Sequence, residues 1–166
     1  TAAVTYMNVM FENTSAFNQP IGTWNTAAVT NMSVMFKNAA AFNQPIGNWN
    51  TAAVTNMGSM FANTTAFNQP IGNWNTENVT NMSFMFENAT AFNQSLGNWT
   101  LNPAVDMGAM LTTCGMDCAN YSTTLNGWNA NPLTPDALSL GANGRTYETA
   151  VVTAHTNLTA TKGWTI

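Results

Sequence analysis

Charge is what this sequence has least of. Only 6% of its 166 residues are Asp, Glu, Lys or Arg, against about a quarter in an ordinary globular domain. Three Lys plus Arg and seven Asp plus Glu leave a net charge of −4. No basic stripe can track a phosphate backbone, so nucleic acid is not an expected partner. No apolar run reaches the roughly 18 residues of a membrane helix, so no span is expected.

Groups that do chemistry are also scarce. Catalysis needs a base or nucleophile beside a second titratable group. His155, the single histidine, reads as structural or solvated. Glu12 and Glu87 share a repeat position but belong to distant copies, too far apart for paired acid/base work. Asp106 and Asp117 could supply half of a metal site, with nothing to furnish the other oxygens. No enzyme, metal or cofactor is expected. Cys114 and Cys118 stand four apart, a separation that a helical turn or tight loop could bring within disulfide range. Without a neighbouring His or further Cys they do not read as a zinc site.

What the sequence has in abundance is repetition. Thr26–Asn50 (TAAVTNMSVMFKNAAAFNQPIGNWN) recurs at Thr1–Asn25, Thr51–Asn75 and Thr76–Thr100. A strict period of this length marks a solenoid, one small unit stacked on itself within a single domain. Thr26, Val29, Thr30, Met32, Met35, Phe36, Asn38, Ala41, Phe42, Asn43, Gln44, Gly47 and Trp49 are each identical in all four copies. The drifting positions are mostly small or polar, as on a solvent face.

Val29–Asn38 reads as a short helix or 3₁₀ turn. Thr30 would cap its start, and Met32, Met35 and Phe36 would share one face. Asn38 would take the left-handed C-terminal position. Phe42–Trp49 reads as extended chain, with a strand near Ile46–Trp49 pairing from copy to copy at about 4.8 Å. A helix and a strand per repeat make the expected class an α/β solenoid. Met35, Phe36, Phe42, Asn43 and Trp49 would then stack on their equivalents as ladders. The Trp row could grip a ligand if exposed, but its place beside Gly22, Gly47, Gly72 and Gly97 favours packing.

The fifth block, Leu101–Trp128, has decayed, although Met107, Met110 and Leu111 keep their places. Residues 129–166 read as a C-terminal cap: a strand at Leu138–Leu140, a helix from Thr149 to about Thr161, and an edge strand at Trp164–Ile166. The first copy has no matching cap. The chain opens on Thr1 at the first position of a repeat, which reads as a processed or excised piece, or one whose leader has been removed.

The motif VTNMxxMFxNAxAFNQPIGNWN resembles the repeat of BspA-like surface proteins, a divergent branch of leucine-rich-repeat-like solenoids. The tail segments AMLTTCGMDCANYSTTLNGW, LSLGANGRTYETA and LTATKGWTI resemble the closing part of such arrays. The resemblance implies a right-handed, leucine-rich-repeat-like coil of about five repeats. It also implies an extracellular or cell-surface protein for adhesion or recognition, with protein or glycan ligands and no catalytic residues. Where that family commonly has Asp after the Trp, this chain has Asn25, Asn50, Asn75 and Thr100, which argues against a row of carboxylates or Ca²⁺.

Three further expectations follow. The uncapped first copy admits end-to-end stacking into a homo-oligomeric filament. Asn-x-Ser/Thr triplets offer N-glycosylation at Asn31, Asn78, Asn81, Asn98 and Asn120, while those at Asn93 and in the Asn13/Asn63/Asn88 column read as structural. The Thr1/Thr26/Thr51/Thr76 and Thr5/Thr30/Thr55/Thr80 rows admit an ice-binding face as a minor alternative.

Overall fold

The computed structural model describes residues 4–166. The copies lie directly over one another. Phe36 stacks on Phe11 and on Phe61 with ring centroids 5.6 Å apart in both cases, and Phe42 stacks on Phe17 and Phe67 at 5.9 Å. Within one coil Phe36 also lies flat against Phe42 at 3.9 Å. A double file of phenyl rings therefore runs along the axis. Met32, Met35, Phe36, Phe42 and Ile46 are fully buried and Trp49 almost so, as are their equivalents in the next two copies.

The α/β class does not hold. Among the described residues, the four regular copies contain no helix, and the only β pairing between coils is a set of isolated parallel bridges at Tyr6, Asn31, Asn56, Asn81 and Asp106. The roles expected for the two halves of the repeat are exchanged. The stretch read as a helix, Val29–Asn38, is a run of tight turns that carries the ladder between coils. The stretch read as a strand closes in a turn, with Trp49 N–H donating to the Ile46 carbonyl.

The reason lies in where alternate N–H groups go. Met35, Lys37 and Ala39 donate within the coil, to the carbonyls of Met32, Val34 and Phe36 three residues back. Met32, Val34, Phe36 and Asn38 donate instead to Asn56, Gly58, Met60 and Ala62 of the next coil, at 2.9 Å. A helix would send every N–H back along itself. Here Val34 and Asn38 adopt φ of 62°, in the left-handed region, and turn the intervening amides outward. The i, i+3, i+4 pattern of Met32, Met35 and Phe36 fits both arrangements, because either one points those side chains to one side. Thr30 does not cap a helix: its hydroxyl donates to the Thr5 carbonyl of the coil before.

Such a coil has little to hold it alone, and its stability comes from neighbours that satisfy its backbone and cover its rings. The fifth coil closes the stack. Asp106 N–H still donates to the Thr80 carbonyl, and Met82, Phe84, Phe86 and Asn88 still donate to Asp106, Gly108, Met110 and Thr112. The chain then leaves into α1 (Cys118–Ala130), capped by Asp117, whose carboxylate accepts from Asn120 N–H. Tyr121, Thr124, Leu125 and Trp128 turn inward from α1. Leu111 and Thr113 donate to the carbonyls of Gly141 and Asn143, and Gly141 donates back to Met107. Residues 138–140 pair in turn with 164–166 through the Ser139–Thr165 bridge and the Leu140 and Thr165 amides. A 3₁₀ turn (Thr149–Val151), α2 (Val152–Thr156) and a π-helical turn (Asn157–Thr161) run on continuously, burying Val151, Ala154 and Leu158.

Candidate binding surface

Side-chain amides divide into those spent on the stack and those left outside it. Asn43 belongs to the first kind. Its N–H donates to Asn18 Oδ1 at 3.0 Å, and the neighbouring Gln44 side chain donates to both Asn18 oxygens. Asn68 with Gln69, and Asn93 with Gln94, repeat the arrangement. The fifth coil continues it with different residues. Asp117 N–H donates to Asn93 Oδ1, and Asn120 Nδ2 donates to the two Asn93 oxygens as the glutamines do.

A second file runs through Asn13, Asn38, Asn63 and Asn88, the Nδ2 of the last three donating to the Oδ1 one coil back at 2.7–3.0 Å. Thr113 ends the file on Asn88 Oδ1. Sequence reasoning missed this ladder. Its signal was the identity of that position in every copy, assigned instead to the backbone alone.

The indoles are also committed. Trp49, Trp74 and Trp99 are buried, and each donates Nε1–H to the Ile21, Ile46 or Ile71 carbonyl of the coil before. Trp128 is buried as well, without a partner for its Nε1. These rings offer no platform to a ligand. Thr26, Thr51 and Thr76 are buried with hydroxyls donating to Asn50, Asn75 and Thr100 carbonyls, so that row presents no flat hydroxyl face.

Asn48 and Asn73, which belong to neither file, border an open groove of about 480 Å³. It is lined by Pro45, Pro70 and Ser95, which hold one repeat position in three successive coils, by Asn48 and Asn73, which hold another in two, and by Gln94 and Asn120. Asn48 and Asn73 are exposed and make no side-chain hydrogen bond among the described residues. Gly47 lines the groove too, and the Pro70 carbonyl oxygen lies 2.6 Å from where a Cβ on it would stand. No ionisable side chain lines the groove. It can offer neutral hydrogen bonds and proline rings, recurring from coil to coil, and nothing that moves a proton.

The titratable residues lie elsewhere, and several have structural partners. Asp106 accepts from Gly108 N–H, and His155 stacks on Tyr147 with centroids 4.6 Å apart. Asp117 sits where ladder and helix meet. The Asn120 backbone N–H, then the Asn93 side chain, hold its carboxyl below the usual range. Burial pushes the Tyr121 hydroxyl up to about 12 and raises the Cys114 thiol. The Cys114–Cys118 bridge is not formed. Cys114 is buried and free, while Cys118 is exposed with its Sγ 2.9 Å from Thr146 Oγ1. Among the described residues no three His, Cys, Asp or Glu side chains gather as metal ligands, and no helix is long and apolar enough to cross a membrane.

The five glycosylation candidates fall in different settings. Asn98, next along the Asn48/Asn73 row, is exposed and without a side-chain bond. Asn78 is exposed but donates to the Ala52 carbonyl. Asn31 accepts from Ser33 N–H. Asn81 accepts from Ser83 and packs its amide against Gly58. Asn120 lies in α1 and is held by Asn93.

No curated protein and no solved structure matches the chain. A family profile does match residues 5–128, the four regular coils together with the decayed fifth. The chain therefore belongs to the family described as "Mycoplasma protein of unknown function, DUF285".

Proposed function

We propose that this chain is a non-enzymatic module of the cell surface or extracellular space that recognises an extended, uncharged ligand for adhesion. The observation that carries the reading is the groove, where two rows of neutral groups recur in the register of the coils. A ligand that is itself a repeating polymer can make the same contact at each coil, and weak contacts then add through high effective concentration. Amide groups beside proline rings suit a neutral glycan, which offers hydroxyls to the first and C–H faces to the second. The scarcity of charge across the whole sequence fits the same ligand, since nothing here steers an ionic one. The surface location rests on the resemblance of the repeat to BspA-like surface proteins.

The test is retention of the chain on immobilised neutral polysaccharides (a β-glucan, a mannan and a chitin-type polymer), beside an anionic polysaccharide and a matrix protein. Binding to a neutral polymer that weakens at least about tenfold in the Asn48→Ala/Asn73→Ala variant is expected, the equivalent of about 1.4 kcal/mol. Retention by the matrix protein alone would assign the groove to a protein ligand. Binding to none of them, or binding that the double variant leaves intact, overturns the reading.

A further inference from the structure

The sequence holds two Asn-Gly pairs, Asn126–Gly127 and Asn143–Gly144, and the fold treats them differently. Both asparagines are exposed, and neither makes a side-chain hydrogen bond among the described residues. Gly127 lies inside α1, where an N–H is bound to the carbonyl four residues back. It is also closely packed, since a Cβ there would stand 2.4–2.6 Å from Gly97 backbone atoms. Gly144 has neither restraint. It takes the third place of a β-turn closed by Arg145 N–H on the Ala142 carbonyl at 3.0 Å, with φ of 81°, a conformation that glycine permits. Its own N–H has no partner among the described residues, and nothing lies within 4 Å of where a Cβ would stand. An unbonded, unhindered backbone nitrogen thus follows a free side-chain amide.

We propose that Asn143 is a site of self-modification, losing its side-chain amide in the folded protein with water as the only co-reactant. The Gly144 nitrogen gives its proton to water and bonds to Asn143 Cγ, and ammonia leaves as the Cγ–Nδ2 bond breaks. Water then opens the resulting succinimide at either carbonyl. Opening at the side-chain carbonyl gives aspartate. Opening at the main-chain carbonyl gives isoaspartate, whose chain runs on through Cβ and Cγ and is one carbon longer. Either product adds one negative charge. The position matters because the Asn143 carbonyl accepts from Thr113 N–H at 3.2 Å, and Thr113 ends the second amide file on Asn88. Isoaspartate turns that main-chain carbonyl into a pendant carboxylate and so loosens the join between the fifth coil and the cap. The inference is independent of the ligand proposed above, since Asn143 is not among the residues of the groove.

The experiment ages the full chain in warm, mildly alkaline buffer and follows both Asn-Gly pairs by peptide mass mapping, with isoaspartyl methyltransferase labelling to identify isoaspartate. A gain of one mass unit at Asn143 is expected at least about tenfold faster than at Asn126, whose reaction needs local opening of α1. In urea the two rates should converge. Asn143→Gln should remove the acidic product, and the isoaspartate fraction should exchange its Thr113 amide hydrogen faster than fresh protein. An Asn143 amide that persists, or that reacts no faster than Asn126, overturns the inference. So does a preference for Asn143 that survives in urea, because the fold is then not the selector. Thr113 exchange that isoaspartate leaves unchanged overturns the loosened join.

Discussion

The Trp49 indole donates its Nε1 hydrogen to the Ile21 carbonyl at 3.1 Å, one coil back along the axis. The contact recurs at Trp74–Ile46 and Trp99–Ile71, so each ring both fills the core and fixes the register of two coils. The Ile46 carbonyl also accepts from Trp49 N–H and is not orphaned if the indole is lost. Trp74→Phe should therefore cost about 1 kcal/mol for the bond, and Trp74→Ala about 3–5 kcal/mol for the ring and its cavity. Urea denaturation separates the two. A Phe variant as stable as the parent would remove the indole N–H from the account of register.

Glycine beside each Trp allows the coils to approach, but unequally. A Cβ on Gly47 would stand 2.6 Å from the Pro70 carbonyl oxygen, while one on Gly72 would meet the Ser95 oxygen at 3.4 Å, an ordinary contact. Gly47→Ala is expected to cost about 1–3 kcal/mol by forcing two coils apart. Gly72→Ala should be close to neutral. Thermal melts of the two variants check the difference, and equal shifts would contradict it.

The ninth position of each coil is held with positive φ whatever residue occupies it: Val9, Val34, Ser59 and Phe84 lie between 54° and 64°. For a β-branched residue this conformation is strained by about 1–2 kcal/mol. Val34 is only half-buried, so little packing is lost on replacing it. Val34→Asn, a residue that tolerates this region, is expected to raise the melting temperature, and an unchanged or lower value would show that the Val34 methyls outweigh the strain.

How much of this was legible in the sequence depended on which property a residue reports. The inward positions were readable, because Met32, Met35, Phe36, Phe42 and Trp49 recur without change and a shared core is a strong reason for that. The backbone path was not. A spacing of i, i+3, i+4 says that three side chains meet, and it does so whether a helix or a run of turns brings them together. The ninth position held the missing clue. Val, Val, Ser and Phe share no helical or strand preference, and what they share, a left-handed φ, leaves no mark on composition. The helix α1 was hidden for a related reason: CANYSTTLNGWNA is poor in strong helix formers. Its signals were Asp117 at the N-cap and the inward Tyr121, Leu125 and Trp128. The groove was beyond reach, since Asn48 and Asn73 look no different in sequence from the amides that hold the stack.

Asp117 joins the last rung of the amide ladder to the first turn of α1, and its protonation should weaken both. The Asn120 backbone N–H donates to Oδ1 and Asn93 Nδ2 donates to Oδ2, each at 2.8 Å. These bonds favour the carboxylate and lower its pKa below the ordinary 3.8. For a carboxyl depressed by folding, the stabilisation is fully present above the unfolded-state value and is lost as pH falls through the folded-state one. Melting temperature should therefore be insensitive to this group above about pH 5 and should decline as pH drops below 3.8. Asp117→Asn keeps an oxygen for the helix cap but sets an NH₂ against the Asn93 donor. The variant should be less stable than the parent at neutral pH, with a shallower decline in acid. Parallel acid limbs for the two proteins would place the pH dependence in other carboxylates.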